Sequence, residues 1–157
     1  MNVTIFTSSQ PRHIALVECV AAISDITYAC IETTTLFPGQ TDGLGAKSAV
    51  MKTYFNHVIN AERKEFGHPR FLPDSIRTIV MGMGELNNID PSWLDPALQS
   101  DVILVFGSSY IKDPLAELLI SKSAINIHMG VSPYYRGSAC NFWALYDGMP
   151  GLVGATI

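Results

Sequence analysis

The chain has 157 residues, of which 48% are hydrophobic and 15% charged, and its formal net charge is −4. This length suits one folded domain, and the composition argues against intrinsic disorder. The negative net charge makes binding to the phosphates of a nucleic acid unfavourable. No apolar run approaches the roughly 18 residues of a transmembrane helix, and MNVTIFTSSQ at the N-terminus is not a signal peptide. We therefore expect a single cytoplasmic domain over residues 1–157.

The spacing of cysteines and histidines argues against a disulfide framework and against a metal site. The three cysteines are an odd number without a CxxC pair, and the four histidines form no HxH or HxxxH pair. We expect the cysteines to be small buried hydrophobes and the first three histidines to be surface or packing residues. These residues are Cys19, Cys30 and Cys140, and His13, His57 and His68.

Strand and helix patterns alternate along the first half of the chain. In chain order they predict a strand over 2–8, a helix over 11–23, a strand over 26–33, a loop over 34–46 and a long helix over 47–67. Pro11 suits the first turn of its helix, and Gly67 suits the C-cap of the long one.

The second half continues the alternation. It predicts a short strand within 75–87, a short helix over 91–99, a strand over 101–109, a helix over 113–120, a strand over 124–130, a helix over 138–148 and a last strand over 152–157. Residues 101–109, DVILVFGSS, have the continuous apolar run of a buried parallel strand. The alternation predicts an α/β fold, a parallel sheet with helices on both faces. Because the sequence stops among apolar residues, we expect it to be part of a longer protein.

The usual nucleotide-binding motifs are missing from the sequence. The first strand-to-helix turn, TSSQPRH, has no glycine, although a dinucleotide site of the usual kind needs glycines there. Gly82-Met-Gly84 lacks the third glycine, and neither a P-loop nor a G-x-S-x-G motif occurs.

Two polar residues interrupt the apolar strand at 124–130. Side chains alternate along a strand, so Asn126 and His128 point to one face, and His128 lies at the carboxyl end where open α/β sheets bind ligands. Leaving such groups unpaired in a core costs roughly 1–3 kcal/mol each. Either nearby backbone groups satisfy the pair, or it serves a function.

The segment after this strand predicts a shaped loop. In GVSPYYRGS, Pro133 and Gly137 bracket two tyrosines and an arginine, and Ser138 is a plausible N-cap of the next helix. Arg136 is either a solvated surface charge or an anion contact. We expect the apolar residues of that helix to pack in the core, namely Phe142, Trp143 and Leu145.

The run AINIHMGVSPYYRGSACNFWALYDG, followed by VGATI, resembles the core motif of the formyltransferases that use 10-formyltetrahydrofolate. In that family N-x-H is followed by a loop ending in P-x-[YFW]-[RK]-G, a helix and a strand reading G-[VA]-T-[IV]. The resemblance is specific over residues 101–157 and limited to the order of strands and helices over 1–100. It implies a Rossmann-like parallel-sheet sandwich with helices on both faces.

The resemblance also implies a chemistry for the N-x-H pair. The Asn126 amide would stabilise the oxyanion formed when an amine attacks the formyl carbonyl, and His128 would donate to the same oxygen or shuttle the proton. The strand end would border the pterin of the co-substrate 10-formyltetrahydrofolate through Phe106, Gly107, Ser108 and Ser109. The loop after the strand would border the acceptor or the folate, and the residues assigned to substrate binding are Ser132, Pro133, Tyr134, Tyr135, Arg136 and Gly137.

Two features depart from the family pattern. The family has a catalytic aspartate shortly after the G-[VA]-T-[IV] strand, and we expect it beyond Ile157, since Asp147 lies in the helix-ending YDG. Many members also read S-L-L-P after the histidine, where this chain has Met129-Gly130-Val131-Ser132 before its proline. The lip of the acceptor pocket therefore differs from the family's.

The acceptor is narrowed only by elimination. Members acting on initiator tRNA usually carry a basic C-terminal domain, and members acting on glycinamide ribonucleotide typically have Phe-Lys where this chain has Tyr135-Arg136. We therefore expect a small-molecule amine, such as an amino sugar on a nucleotide carrier, with neither nucleic acid nor membrane as partner and a homodimer left open. The alternatives are a catalytically impaired folate- or partner-binding module, a fragment of a methionyl-tRNA formyltransferase, and an unrelated nucleotide-binding α/β domain.

Overall fold

A computed structural model describes residues 1–33 and 48–157, and these form a five-stranded parallel sheet in the order β3-β2-β1-β4-β5. The strands are β1 (Asn2–Ser8), β2 (Ile26–Thr33), β3 (Ile76–Gly82), β4 (Val102–Phe106) and β5 (Ile125–Asn126). The α/β class predicted from the alternation of elements is therefore confirmed.

Helices cover both faces of the sheet. The helices are α1 (Pro11–Ala21), α2 (Ala49–Phe66), α3 (Asp95–Leu98), α4 (Leu115–Ser121) and α5 (Cys140–Tyr146), with short 3-10 turns at Glu85–Asn87, Pro91–Leu94 and Pro150–Leu152. Val17 and Val20 of α1 pack on one face of the sheet, and Leu98 and Leu119 from α3 and α4 pack on the other. None of the helices in the described ranges is long and apolar enough to cross a membrane.

Strand β4, predicted to be a buried strand from its apolar run, is a strand of the parallel sheet but is less buried than β1. Residues 3–8 are all buried, whereas only Ile103 of β4 is buried. The reason is position, because β1 lies at the centre of the sheet and β4 lies next to the two-residue edge strand β5. The polar Thr4 and Thr7 are tolerated in β1 because their hydroxyls donate to the carbonyls of Ala97 and Phe106 at 2.6 and 2.7 Å.

Local signals fixed several helix ends. Pro11 begins α1 as predicted, and Gly67 caps α2 with φ 81°, a conformation that favours glycine. Ser48 caps the other end of α2, where its side chain accepts a hydrogen bond from the Met51 amide. The predicted N-cap Ser138 is wrong, since Ala139 takes that position with φ 54° and makes no side-chain cap bond. The loop predicted over 34–46 lies outside the described residues.

The strand predicted over 124–130 is much shorter in the structure. Strand β5 pairs with β4 only at Ile125 and Asn126, and β4 itself ends at Phe106 before Gly107 turns with φ 72°. Residues 127–130 therefore have little strand left to pair with. His128 instead forms an isolated antiparallel bridge with Thr156, so the last strand predicted over 152–157 is reduced to this bridge.

Helix α5 presents most of its apolar side chains to solvent. Phe142, Trp143 and Leu145 were predicted to be core residues, but they are 49%, 48% and 60% exposed. The helix buries only its small residues, Cys140 and Ala144, which explains the difference. Cys30 and Cys140 are buried as predicted, whereas Cys19 is exposed.

Candidate active site

Two cavities meet at Asn126 and His128. The large cavity has a volume of about 1360 Å³ and runs along the carboxyl ends of β1 and β4, between α1, α4 and α5. The small cavity has a volume of about 600 Å³ and lies between β5 and the segment around Thr156. Both cavities are lined by Asn126 and His128, so a molecule bound in either one can reach the pair.

Sheet topology explains the position of the large cavity. From β1 the chain proceeds to β2 on one side, and β4 lies on the other side, so the connecting helices leave on opposite faces. A crevice forms at such a switch point, outside the carboxyl ends of the strands. The residues predicted to border the pterin all line this cavity, namely Phe106, Gly107, Ser108 and Ser109.

The residues predicted to border the acceptor divide into two groups. Ser132, Arg136 and Gly137 line the small cavity. Pro133, Tyr134 and Tyr135 line neither of these two cavities. The Tyr135 hydroxyl instead donates to Asp147 at 3.1 Å, which ties the loop to the C-terminal end of α5.

The side chain of Asn126 is available to a ligand. Asn126 is exposed, and its side-chain amide makes no hydrogen bond to any residue within 1–33 and 48–157. An amide carries two N–H donors, so it can bind an oxygen that gains negative charge. Its backbone is held by pairing with Val105 of β4.

His128 is held firmly on both its backbone and its ring. Its backbone amide and carbonyl exchange two hydrogen bonds with Thr156, at 2.9 and 2.8 Å. Its Nε2 lies 3.3 Å from the carbonyl oxygen of Tyr135 and 3.6 Å from the Cys140 Sγ. The half-buried imidazole thus lies in a fixed place beside both cavities.

His13 is a wall residue of the large cavity that sequence reasoning took for a surface or packing histidine. It is buried, its Nδ1 lies 2.5 Å from the Ser8 hydroxyl, and its ring stands edge-on to Phe106 at 4.8 Å. Burial and the neighbouring Arg12 charge lower its pKa to about 4. Gly107 is required above it, because a Cβ at that residue would overlap the imidazole. Its location in the first turn of α1, directly after the first strand, is the signal that could have identified it.

Glu32 was also missed, and it ties three strand ends together below the cavity. This carboxylate at the end of β2 is completely buried. It accepts hydrogen bonds from the Gly84 amide at 2.8 Å, the Ser109 amide at 2.6 Å and the Ser109 hydroxyl at 2.8 Å. It therefore fixes the loops after β3 and β4, including the wall residue Ser109. The available signal was an acidic residue at the end of an apolar strand.

The charges around the site are few. Arg12 is the one charged residue of the described chain that lines the large cavity, and its guanidinium pairs with Glu62 of α2 at 2.8 Å. Arg136 is its counterpart in the small cavity. The part of the chain that the structure describes contains no group of three His, Cys, Asp or Glu side chains able to hold a metal ion.

Comparison with known proteins relates the chain to one enzyme fold. No protein-family model matches the sequence, and a search of curated proteins found no match. Among solved structures, phosphoribosylglycinamide formyltransferase from Anaplasma phagocytophilum matches with a TM-score of 0.51 at 15% sequence identity. The match covers 94% of this chain and 59% of the longer enzyme. At this identity the match shows a shared fold, so the chain has the fold of a formyltransferase.

Proposed function

We propose that the protein containing this chain transfers a formyl group from 10-formyltetrahydrofolate to a primary amine of a small acceptor. The observation that carries the proposal is the position of Asn126 and His128 between two cavities, one for each reactant. The formyltransferase fold and the resemblance of the N-x-H motif support the same reaction.

The large cavity fits the folate in size and chemistry. Its volume of about 1360 Å³ exceeds the roughly 300–1,000 Å³ of the usual small-molecule pocket, so it has room for a folate. The side-chain oxygen of Gln10, which lines this cavity, is buried and has no hydrogen-bond donor among the described residues. A pterin carries N–H donors that could satisfy it. We assign the strand end from Phe106 to Ser109 to the pterin, and the small cavity, with Ser132 and Arg136, to the acceptor.

Asn126 and His128 have different roles at the formyl carbonyl. The bound co-substrate supplies the formyl group, and its N10 leaves when the acceptor amine takes that group. Asn126 donates an N–H to the formyl oxygen as negative charge develops there, and a preorganised donor of this kind contributes roughly 100- to 1,000-fold to kcat. His128 takes the proton that the attacking amine loses and returns one to the leaving nitrogen.

The test uses the full-length protein with 10-formyltetrahydrofolate and a panel of amines, including amino sugar nucleotides, glycinamide ribonucleotide and methionyl-tRNA. We expect Asn126→Ala to lower kcat about 100-fold or more with little change in KM for the folate. His128→Ala should lower it by a similar factor. The exposed residues Asn60 and His57 of α2 provide matched controls, because Asn60→Ala and His57→Ala should leave the rate unchanged.

Two results would contradict the proposal in different ways. If Asn126→Ala and His128→Ala transfer formyl groups as fast as the parent, the assigned roles are wrong. If calorimetry shows that the parent binds the formyl folate but no amine is formylated, the protein is a folate-binding module without turnover.

A further inference from the structure

The Nε2 edge of His128 lies in a small cluster of the protein's own groups. The carbonyl oxygen of Tyr135 lies 3.3 Å from Nε2, and the Sγ of Cys140 lies 3.6 Å from it. Cys140 is buried at the start of α5, and its Sγ also lies 3.4 Å from the carbonyl oxygen of Gly137. Packing here is tight, since a Cβ at Gly130 would lie 2.6 Å from the Cys140 Cβ and 2.9 Å from Nε2.

The hydrogen-bonding chemistry of this cluster determines where the protons lie. A carbonyl oxygen can only accept, so the thiol hydrogen of Cys140 points to Gly137 and the sulfur lone pairs are left facing His128. The carbonyl of Tyr135 likewise requires a hydrogen on Nε2. Both contacts agree on one neutral tautomer, with the proton on Nε2 and the lone pair on Nδ1. Nδ1 makes no hydrogen bond within the described part of the chain, so its lone pair is available.

We propose that Cys140 is a positioning residue for His128, which holds the imidazole together with the Tyr135 carbonyl so that Nδ1 presents its lone pair to the reacting amine. The role in catalysis rests on the proposed function, whereas the tautomer itself does not. Cys140 borders the large cavity but is 2% exposed, and in this scheme it contacts His128 and not a reactant. It acts through the ring, because the Tyr135 bond of 3.3 Å is long for an N–H donor and leaves the ring free to turn if the sulfur is removed.

The tautomer can be measured without any substrate. In the full-length protein labelled with ¹⁵N-histidine, a protonated ring nitrogen and a bare one have well-separated chemical shifts, and His128→Asn identifies the resonances of His128. At a pH where the ring is neutral, we expect the Nε2–H form to predominate in the parent. Cys140→Ala should broaden these signals or raise the Nδ1–H population. Cys140→Ser should restore the parent spectrum, because a hydroxyl also accepts from Nε2 and donates to Gly137.

Kinetics provide the second readout. We expect Cys140→Ala to lower kcat about fivefold, the effect of losing one ordinary hydrogen bond, with KM for the folate unchanged and with rescue by Cys140→Ser. Cys30 offers a matched control, since it is equally buried in β2 and remote from His128. Cys30→Ala should reduce stability without changing the His128 spectrum. If Cys140→Ala does not fold, Cys140→Val fills the space without an acceptor and takes its place.

The inference is overturned if the parent shows mainly the Nδ1–H form, or if Cys140→Ala keeps both the parent spectrum and the parent kcat. Absence of formyl transfer by the parent would instead contradict the proposed function, and the spectra would still decide the tautomer.

Discussion

His13 is a histidine that the fold keeps neutral. The residue is 4% exposed, and burial together with the adjacent Arg12 guanidinium lowers its pKa to about 4. In the unfolded chain the same group titrates near its ordinary pKa of 6.5. Between these two values the unfolded chain binds a proton that the folded chain does not. The contribution of His13 to stability is therefore complete above about pH 6.5 and is lost as the pH falls toward 4.

This difference in pKa predicts that the free energy of unfolding depends on pH through His13. The free energy of unfolding should fall by about 2 kcal/mol between pH 7 and pH 5 through His13 alone. His13→Gln should remove this part of the slope, whereas His57→Gln, at an exposed position of α2, should keep it. Urea denaturation of the three proteins at both pH values measures the effect. If the free energy of unfolding falls by the same amount between pH 7 and pH 5 in the parent and in His13→Gln, the pKa shift is contradicted.

Among the elements, the loops after β3 and β4 depend on one carboxylate of β2. Glu32 accepts two hydrogen bonds from Ser109 and one from Gly84, and it has no contact with solvent. In Glu32→Gln the new NH₂ group would face an N–H donor whichever way the amide is oriented. We expect a loss of about 2–3 kcal/mol in the free energy of unfolding. Glu65→Gln, at an exposed position of α2, should change it by less than about 0.5 kcal/mol. A Glu32→Gln variant as stable as the parent would show that the carboxylate is dispensable.

Strands and helices whose limits depend on local signals could be read from the sequence. The strands at 2–8 and 26–33 coincide with β1 and β2, and Gly67 ends α2 as expected. The limits of β5 could not be read, because they depend on β4 turning away at Gly107. The sequence also could not predict the exposure of the aromatic residues of α5, because that exposure depends on which elements pack against the helix.

In the candidate site, too, residues marked by a local sequence signal could be predicted, and residues defined by tertiary contacts could not. Asn126 and His128 were found because two polar residues interrupt an apolar strand, a signal contained in seven consecutive residues. His13 and Glu32 were missed because their partners Gly107 and Ser109 are remote in the sequence and close only in the folded sheet. The sequence therefore indicated the pair proposed to contact the reactants and the wall residues from Phe106 to Ser109. It did not indicate His13, which lines the same cavity, or Glu32, which holds Ser109 in place.

At the scale of the whole molecule, the sheet topology brings residues from distant parts of the chain together in the proposed site. The turn after β1, the loop after β4 and the segment after β5 all contribute walls to the large cavity. Strand β3 lies at the opposite edge of the sheet and contributes none of its own residues, and only Met83 directly after it reaches the cavity. A ligand in the large cavity should therefore affect these separate chain segments and leave the amides within β3 as they were.

Hydrogen exchange in the presence of 5-formyltetrahydrofolate, whose formyl group is on N5 and cannot be transferred from N10, tests this arrangement in the full-length protein. We expect slower amide exchange at residues 106–111 and 126–130, because a bound folate excludes water from these walls and stabilises their closed state. Exchange in β3 should be unchanged and serves as the internal control. Asn126→Ala should retain the protection at 106–111, since its amide is assigned to the formyl group and not to the pterin. Protection confined to β3 would place the folate outside the large cavity, and no protection anywhere at saturating ligand would contradict folate binding.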